Sequence, residues 1–239
     1  MDKSVFMTIL GNNVSVVIAT LGGELLKNTI ENLNGSSVKP YEILICIPRE
    51  FSYRVKTFHF DNVKIIETKV KGQVAQRAEG FILVNCPYVL QLDDDIILER
   101  NCIKNLISAM DNELNLAVSP MLYDSETGRY HEFMVFCNRL SITDKILLRI
   151  VNGSQGYEPG KITKSGLNFG LPETPCDFHD LDWLPGACVL HRKTNLITHD
   201  YFTLNGKAFS EDLFHSSLLR EAGIRLGRVG SAICYVDFT

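Results

Sequence analysis

The sequence predicts an α/β fold in which helices flank a mainly parallel central sheet. Strand-like runs of β-branched and apolar residues alternate with segments whose apolar residues recur at helical spacing. This alternation is typical of right-handed β-α-β units, in which consecutive strands are parallel. One apolar run, residues 88–92, leads directly into three aspartates. Because open α/β sheets bind ligands beyond the carboxyl ends of their strands, we expect the functional site there.

The other predicted elements of the first half follow the same pattern. The first strand, 14–19, is followed by a turn with Gly22 and Gly23, and then by a helix with apolar residues at i, i+4 and i+7. The glycine pair lets the backbone approach a ligand, but the full glycine-rich fingerprint of a dinucleotide site is missing. Pro48 stops the second strand. The remaining elements are strands 63–67 and 116–121 and helices at 74–81 and 103–110.

Asp93, Asp94 and Asp95 form an acidic cluster before an apolar turn that begins at Ile96. Hard oxygen ligands suit Mg2+ or Mn2+, which bind one or two carboxylates and complete their shell with water and substrate phosphates. A solvated acidic turn is the alternative, but such turns are rarely flanked by apolar residues on both sides. The cluster therefore predicts a metal ion that bridges the protein to a diphosphate.

Length and composition limit the class of protein. A chain of 239 residues is long enough for one α/β domain, and we divide it into two halves, 1–121 and 122–239. The net charge of -4 excludes a general nucleic-acid binder. Seven scattered cysteines without CxxC spacing predict buried free thiols in a reducing compartment, not a zinc site. Without a signal pattern or an apolar run of about 20 residues, we expect a cytoplasmic protein.

The second half contains one amphipathic segment and one irregular segment. Residues 142–151 place Lys145 and Arg149 beside apolar residues, which fits a core-facing helix or a helix on a membrane surface. Residues 152–176 are rich in Gly, Pro, Ser and Thr, which predicts a mobile loop.

Two further motifs can carry chemistry. Trp183 precedes a Pro185-Gly186 turn, and it is either a core tryptophan or a platform for a sugar ring. Ser210 is the predicted N-cap of a helix whose first turn holds Glu211 and Asp212. These acids complement the helix dipole, and one of them can also serve as the base that a sugar hydroxyl needs before it attacks.

Four stretches, in order, resemble the family 2 glycosyltransferases, which have the Rossmann-like GT-A fold. Residues 14–20 are similar to their opening strand and turn, and Gly72, Arg77 and Gly80 to their diphosphate-side helix. The three aspartates resemble their DxD motif. Residues 183–186 and the Glu211-Asp212 pair resemble their acceptor turn and ED motif, so the resemblance spans almost the whole chain.

The resemblance implies an inverting single displacement from a nucleotide sugar, with Mn2+ or Mg2+ as cofactor. Asp95 and Asp93 would bind the metal, with Asp95 the closer ligand. Either Asp212 or Glu211 would be the general base. The implied donor-binding residues are Thr20, Glu24, Arg77, Asp93, Asp94 and Asp95, and the implied acceptor-binding residues are Trp183, Pro185 and Gly186.

Two positions depart from the family pattern. Ile47 and Pro48 stand where relatives carry an aspartate near the nucleobase, so uridine is expected from the family alone. Many relatives supply a late histidine to the metal, and His215 is the candidate substitute here, although a lone helical histidine is more often a surface residue.

Length and motif layout resemble the bacterial enzymes that assemble O-antigen or capsule repeats. The implied reaction is β-1,3 transfer of glucose from UDP-glucose to a lipid-diphosphate-linked N-acetylhexosamine. The enzyme is expected in the cytoplasm, with peripheral contact at the inner face of the cytoplasmic membrane left open. We also expect a C-terminal extension beyond Thr239, because relatives often continue with membrane-contacting helices.

Two rival functions use similar residues. A sugar-nucleotide pyrophosphorylase also needs acids and a divalent metal, but its opening loop normally carries basic residues, which residues 20–24 lack. A noncatalytic carbohydrate-binding module could hold calcium at the aspartates, but it would not need the second acidic pair.

Overall fold

The structure is a computed structural model that describes residues 14–111, 113–130, 140–153, 158–163, 166, 168–170, 177–202 and 210–236. Most of the loop predicted at 152–176 lies outside these residues, so its mobility stays a prediction, as does the division of the chain after residue 121.

Strands and helices alternate through the first half, as the sequence predicts. The strands are β1 Val14–Ala19, β2 Glu42–Pro48, β3 Val63–Thr68, β4 Tyr88–Leu92, β5 Ile96–Leu98, β6 Leu116–Asp124, β7 Phe178–Leu181, β8 Cys188–Arg192 and β9 Arg225–Val236. The α-helices are α1 Leu26–Gly35, α2 Gln73–Leu83, α3 Cys102–Met110, α4 Ile142–Asn152 and α5 Glu211–Glu221, and short 3-10 helices cover Arg49–Val55 and Lys193–Asn195.

All nine strands join one sheet, in the order β3-β2-β1-β4-β8-β6-β9-β5, with β7 also paired to β9. Strands β1 to β4 are mutually parallel. β8 is antiparallel to both of its neighbours, whereas β6 and β9 are parallel to each other. The prediction of a mainly parallel α/β sheet with flanking helices is confirmed.

β9 is the longest strand, and it changes partners along its length. It pairs with β7 near its beginning and with β5 near its end, and β6 lies alongside throughout. The register with β6 shifts between Pro120 and Met121. The sequence interpretation of Ile96 as part of a turn is wrong, because residues 96–98 form β5 against β9.

The helices pack on the sheet through the apolar residues that the periodicity identified. Leu26, Ile30 and Leu33 of α1 are completely buried. Gly80 lets α2 approach the sheet, since a Cβ there would lie 2.5 Å from Cys46 Sγ. The five cysteines in the described residues are buried free thiols, in agreement with the prediction; they are Cys46, Cys86, Cys102, Cys188 and Cys234.

Helix α4 does not face the core. Ile142 is 78% exposed and Ile150 is 75% exposed. The core-facing interpretation of this segment is therefore wrong. As to membrane crossing, none of the helices in the described ranges combines the length and the hydropathy that a span requires.

Glu42, at the start of β2, carries a buried charge in the middle of a hydrogen-bonded network. Its carboxylate accepts from Ser15 Oγ and Lys64 Nζ, each at 2.7 Å, and from the Asn85 backbone N–H at 2.8 Å. Burial alone would raise the pKa of Glu42, but the bonds from Lys64, Ser15 and Asn85 outweigh it and lower the pKa to about 2. The ionised form is therefore the one that the folded state stabilises.

We expect Glu42→Gln to lower the free energy of unfolding by about 2 kcal/mol at neutral pH, because hydrogen bonds to a charged acceptor are lost. Since the pKa in the unfolded chain is near the ordinary value of 4.5, this stabilisation is complete above that pH and disappears as the pH falls towards 2. Urea titrations of both proteins across this range measure it. The matched control is Glu67→Gln in the exposed pair with Arg49, and an equal effect in the two variants would contradict the role of the buried network.

Candidate active site

The site lies where the carboxyl ends of β1 and β4 meet. These strands are adjacent and parallel, with Ile18 opposite Leu92, so the residues that follow them are neighbours. Thr20 follows β1, and Asp93 follows β4. The backbone N–H of Asp93 donates to the carbonyl of Ala187 at 2.9 Å, which ties the acidic turn to the segment before β8.

Asp94 is turned towards the loop after β1. Its carboxylate accepts a hydrogen bond from the hydroxyl of Thr20, which in turn accepts from the Gly22 N–H at 2.8 Å. The Asp94 carbonyl accepts from Thr29 Oγ1 at 3.0 Å. Asp94 therefore fixes the β1–α1 loop, and the structure brings the predicted donor residues Thr20 and Asp94 together. Glu24, also a predicted donor residue, is exposed on the same loop.

Asp93 faces the opposite way, towards α2. Its Oδ1 accepts from the guanidinium of Arg77 and from Gln73 Nε2, the latter at 2.8 Å. Burial raises the pKa of Asp93 to about 6; the Arg77 charge opposes this shift, and the neighbouring carboxylates Asp95 and Asp94 add to it. Three crowded carboxylates at one strand end therefore repel one another when they are all ionised, although Arg77 offsets part of this repulsion.

Arg77 is the buried centre of the site. Its side chain is only 4% exposed, and besides Asp93 it donates to the carbonyl of Gly186 at 3.2 Å. Its other terminal nitrogen lies 3.9 Å from the carboxylate of Glu211. One guanidinium thus connects three parts of the chain. They are the turn at Asp93, Asp94 and Asp95 (the aspartate turn), the turn before β8 and the start of α5. The sequence placed Arg77 in the site, but it did not indicate this connecting position.

The acidic pair at the start of α5 lies beside Arg77. Burial and the adjacent Glu211 charge together raise the pKa of Asp212 to about 6, although a hydrogen bond from the Leu213 N–H opposes the shift. Glu211 is 12% exposed and is the partner of Arg77. A carboxylate with a pKa near 6 is ionised at neutral pH but is a better proton acceptor than an ordinary aspartate.

The predicted N-cap at Ser210 is only partly correct. Ser210 occupies the N-cap position, but its side chain makes no capping hydrogen bond. Its φ of 64° places it in the left-handed region, the only non-glycine residue there in the described chain. This conformation costs of order 1–2 kcal/mol, and it sets the direction in which the backbone enters α5.

Gly186 borders the acidic pair, Glu211 and Asp212. A Cβ at this position would lie 3.2 Å from Glu211 Oε1 and 3.5 Å from Asp212 Cβ. We expect Gly186→Ala to displace the Glu211 carboxylate and to lower kcat about tenfold, because small misplacements in a site reduce turnover strongly. Gly35→Ala is the control, since a Cβ there meets nothing within 4 Å. Steady-state kinetics of both variants test this expectation, and equal rates would contradict it.

The other predicted acceptor residues lie inside the protein. Trp183 is 4% exposed, packs with Met121 and Tyr130, and donates its indole N–H to the carbonyl of Phe169 at 3.1 Å. Pro185 is also buried. The position of Trp183 agrees with the core interpretation and corrects its proposed use as an open platform for a sugar, whereas Gly186 borders the acidic groups.

A buried histidine cluster beside Arg77 was not predicted. His215 stacks on Tyr201 with ring centroids 5.6 Å apart, and His191 lies 5.3 Å from His215. Burial lowers the pKa of His215 to about 3, and Arg77 contributes to the shift; burial likewise lowers that of His191. Both imidazoles are therefore neutral at pH 7, and the interpretation of His215 as a surface residue is wrong. Its spacing of four residues from Glu211 was the available sequence signal.

Comparison with known proteins identifies the family of the chain. The sequence profile described as glycosyl transferase family 2 matches residues 15–163, which include β1, the aspartate turn and Arg77. The chain belongs to glycosyl transferase family 2.

Structural comparison gives the fold expected for this family. The chain superimposes with a TM-score of 0.66 on a crystal structure of GalNAc-T7 with UDP, GalNAc and Mn2+, at 14% sequence identity. The alignment covers 95% of this chain and 43% of that chain, so the chain spans less than half of the length of GalNAc-T7. The likeness shows the GT-A fold. Comparison with curated sequences gives no match.

The described side chains do not form a complete metal cage by themselves. In the ranges that the structure describes, no three His, Cys, Asp or Glu residues are grouped so that they could hold one ion. Mg2+ or Mn2+ needs only one or two carboxylates when substrate oxygens supply the rest. The crowded, half-buried carboxylates at 93–95 are hard donors whose repulsion a cation would relieve. They therefore fit a cation that is shared with a diphosphate.

Proposed function

We propose that this glycosyltransferase transfers a sugar from a nucleoside diphosphate to a hydroxyl acceptor with inversion at the anomeric carbon. The observation that carries the proposal is the position of Arg77, which brings the aspartate turn and the α5 acidic pair into one site. A donor-binding group and a proton acceptor, held on separate elements, are what a single displacement requires.

The donor side is formed by the aspartate turn. Asp95 and Asp93 would hold Mn2+ or Mg2+, and when bound the cation neutralises the charge that develops on the departing diphosphate. Asp94 and Thr20 hold the loop after β1 in place through their hydrogen bond. GalNAc-T7 was crystallised with UDP and Mn2+, which supports a uridine nucleotide and a divalent metal as the first candidates here.

The acceptor side is formed by α5 and the turn at Gly186. Asp212 removes the proton from the acceptor hydroxyl as the new bond between its oxygen and the anomeric carbon forms. The bond from that carbon to the diphosphate breaks at the same time, and the nucleoside diphosphate leaves with the electron pair. We assign the base to Asp212 because its pKa is raised to about 6, whereas Glu211 is the ion-pair partner of Arg77.

The finer assignments are part of the same proposal. We propose glucose from UDP-glucose as the donor sugar, a lipid-diphosphate-linked N-acetylhexosamine as the acceptor and a β-1,3 linkage, in the assembly of bacterial surface polysaccharide such as O-antigen. This chemistry takes place in the cytoplasm, where nucleotide sugars are the donors. These assignments rest on the resemblance in length and motif layout to the bacterial enzymes that assemble surface polysaccharide repeats, and no single residue of the site specifies the sugar.

Calorimetric titration with UDP and UDP-glucose tests the donor side. We expect binding in the presence of Mn2+, at least tenfold weaker binding after EDTA, and a comparable loss in Asp95→Asn, because the shared cation is then missing or poorly held. The matched control is Asp61→Asn, which changes an exposed aspartate just before β3 to which no role in the site is assigned. Full-strength binding of UDP-glucose in EDTA would overturn the metal assignment, and binding of only another nucleotide would overturn the choice of uridine.

A further inference from the structure

Helix α4 exposes a continuous apolar face. Five of its apolar side chains are more than half exposed, at 78%, 55%, 58%, 75% and 57%; they are Ile142, Ile146, Leu147, Ile150 and Val151. At 3.6 residues per turn these positions occupy one arc of about 180°. Leu148 and Lys145, outside this arc, are less exposed. A surface helix normally turns its apolar stripe towards the core, whereas the apolar stripe of α4 is exposed.

Local interactions define the start of this helix. The backbone N–H of Asp144 donates to Ser141 Oγ at 3.1 Å, and the Ser141 N–H donates to the Asp144 carboxylate at 3.2 Å. This reciprocal capping box satisfies two backbone donors that would otherwise lack partners. The capping box therefore stabilises the start of α4 without any contact from its apolar face.

The charges of α4 indicate which surface. Lys145 and Arg149 are four residues apart and lie at one edge of the apolar arc, next to Ile142 and Ile146. With Asp144 they give the helix a net charge of +1 (two basic residues minus one acidic residue), whereas the whole chain carries -4. An apolar face with basic residues at its edge is typical of helices that lie in an anionic lipid interface.

The size of the face also favours lipid over a second copy of the chain. The five side chains expose on the order of 500 Å² of apolar surface, which is large for a single patch on a soluble protein. A stable protein interface buries about 800 Å² on each partner. The face is therefore too small for a stable dimer by itself, whereas a lipid surface needs no matching partner.

We propose that α4 lies in the plane of an anionic lipid surface, with its apolar face inserted between the headgroups and its two basic residues on the lipid phosphates. The use of this contact, to bring the site to a lipid-linked acceptor, rests on the proposed function. The contact itself does not, because it is measured without a nucleotide sugar.

Co-sedimentation of the full chain with vesicles tests the proposal. The vesicles consist of phosphatidylcholine alone or of phosphatidylcholine mixed with phosphatidylglycerol. We expect binding to the mixed vesicles and at least tenfold weaker binding of the double variant Ile146→Ser/Ile150→Ser. Replacing Lys145 and Arg149 with Gln should weaken binding to the mixed vesicles by roughly fivefold for each residue. The matched control is Ile82→Ser/Leu114→Ser, which changes two exposed apolar residues, 64% and 72% exposed, outside α4.

Circular dichroism checks that each variant is folded. We expect all of them to fold, because every substituted side chain is at least partly exposed. Wild-type protein that does not sediment with either vesicle overturns the proposal, and so does a double variant that binds as tightly as its control. Sedimentation velocity tests the other occupant, a second copy of the chain. A wild-type dimer that is lost in the Ile146→Ser/Ile150→Ser variant, without vesicle binding, would assign the face to self-association. Donor titration is unaffected by any of these outcomes, so a failure here is distinct from a failure of the proposed function.

Discussion

Asp212→Asn is expected to lower kcat about a thousandfold while donor affinity stays within about threefold of the wild-type value. The amide keeps the size of the side chain but cannot accept the proton of the acceptor hydroxyl. The same change should raise the free energy of unfolding by about 1–2 kcal/mol at pH 7. Because the pKa of Asp212 is raised in the folded protein, ionising this carboxyl costs more free energy there than in the unfolded chain. Asparagine does not ionise, so the variant lacks this destabilisation of the folded state. Kinetics, donor calorimetry and urea titration on one protein preparation measure all three.

The pH dependence separates Asp212 from Glu211. The wild-type rate should rise with pH through about 6, since Asp212 must be ionised to act as the base. Asp93 also has a pKa of about 6, so it ionises over the same pH range. Donor affinity is therefore measured at each pH, which separates a change in donor binding from a change in the rate. Glu211→Gln should lower kcat less, and the rise should move to a pH below 6, because the Glu211 charge that helps to raise the pKa of Asp212 is gone. If Glu211→Gln abolished turnover while Asp212→Asn retained it, the two roles would be exchanged.

Arg77→Met should lower kcat about a thousandfold and should lower the free energy of unfolding by about 3 kcal/mol. Methionine fills much of the volume of the side chain, but it removes the hydrogen bonds to Asp93 and to the Gly186 carbonyl and the ion pair with Glu211. Removal of one member of a buried charged pair is destabilising because the other charge remains. Donor affinity, turnover and urea unfolding give the three readouts.

Two further variants test whether the geometry of Arg77 matters, and not only its charge. Arg77→Lys keeps the charge but has one head group, which cannot reach Asp93, Gly186 and Glu211 together. We therefore expect it to restore stability more than activity. Gln73→Leu removes only one contact with Asp93 and should have a smaller effect on both. An Arg77→Lys enzyme with normal kcat would show that a positive charge near Asp93 is sufficient.

The first half of the fold was predictable because its signals are local. β1, β2 and β4 are mainly apolar and buried along their whole length, and the apolar spacing of α1 coincides with its buried side chains. β5 was not predictable in this way. It has three residues and exists through pairing with β9, far away in sequence. Strands that depend on distant partners leave little local pattern.

The site shows the same distinction between local chemistry and three-dimensional arrangement. The spacing of Asp93, Asp94 and Asp95 placed acids at the end of a strand, but their different directions depend on Thr20 and Arg77. Trp183 could not be assigned from sequence, because a tryptophan before a turn can pack inwards or outwards with the same neighbours. The left-handed conformation of Ser210 likewise has no residue signal, since serine is an ordinary N-cap residue.

The pairing of β9 has a consequence for synthesis on the ribosome. Ile96 of β5 pairs with Val236, which follows it by 140 residues. At about 5–20 residues per second, β5 is synthesised roughly 7–28 s before its partner. During this interval β6 also lacks its β9 neighbour, so the nascent chain presents unpaired strand edges next to a largely complete first half. A chaperone that binds extended apolar segments would protect the chain during this interval, and slower translation of the second half would lengthen the exposure.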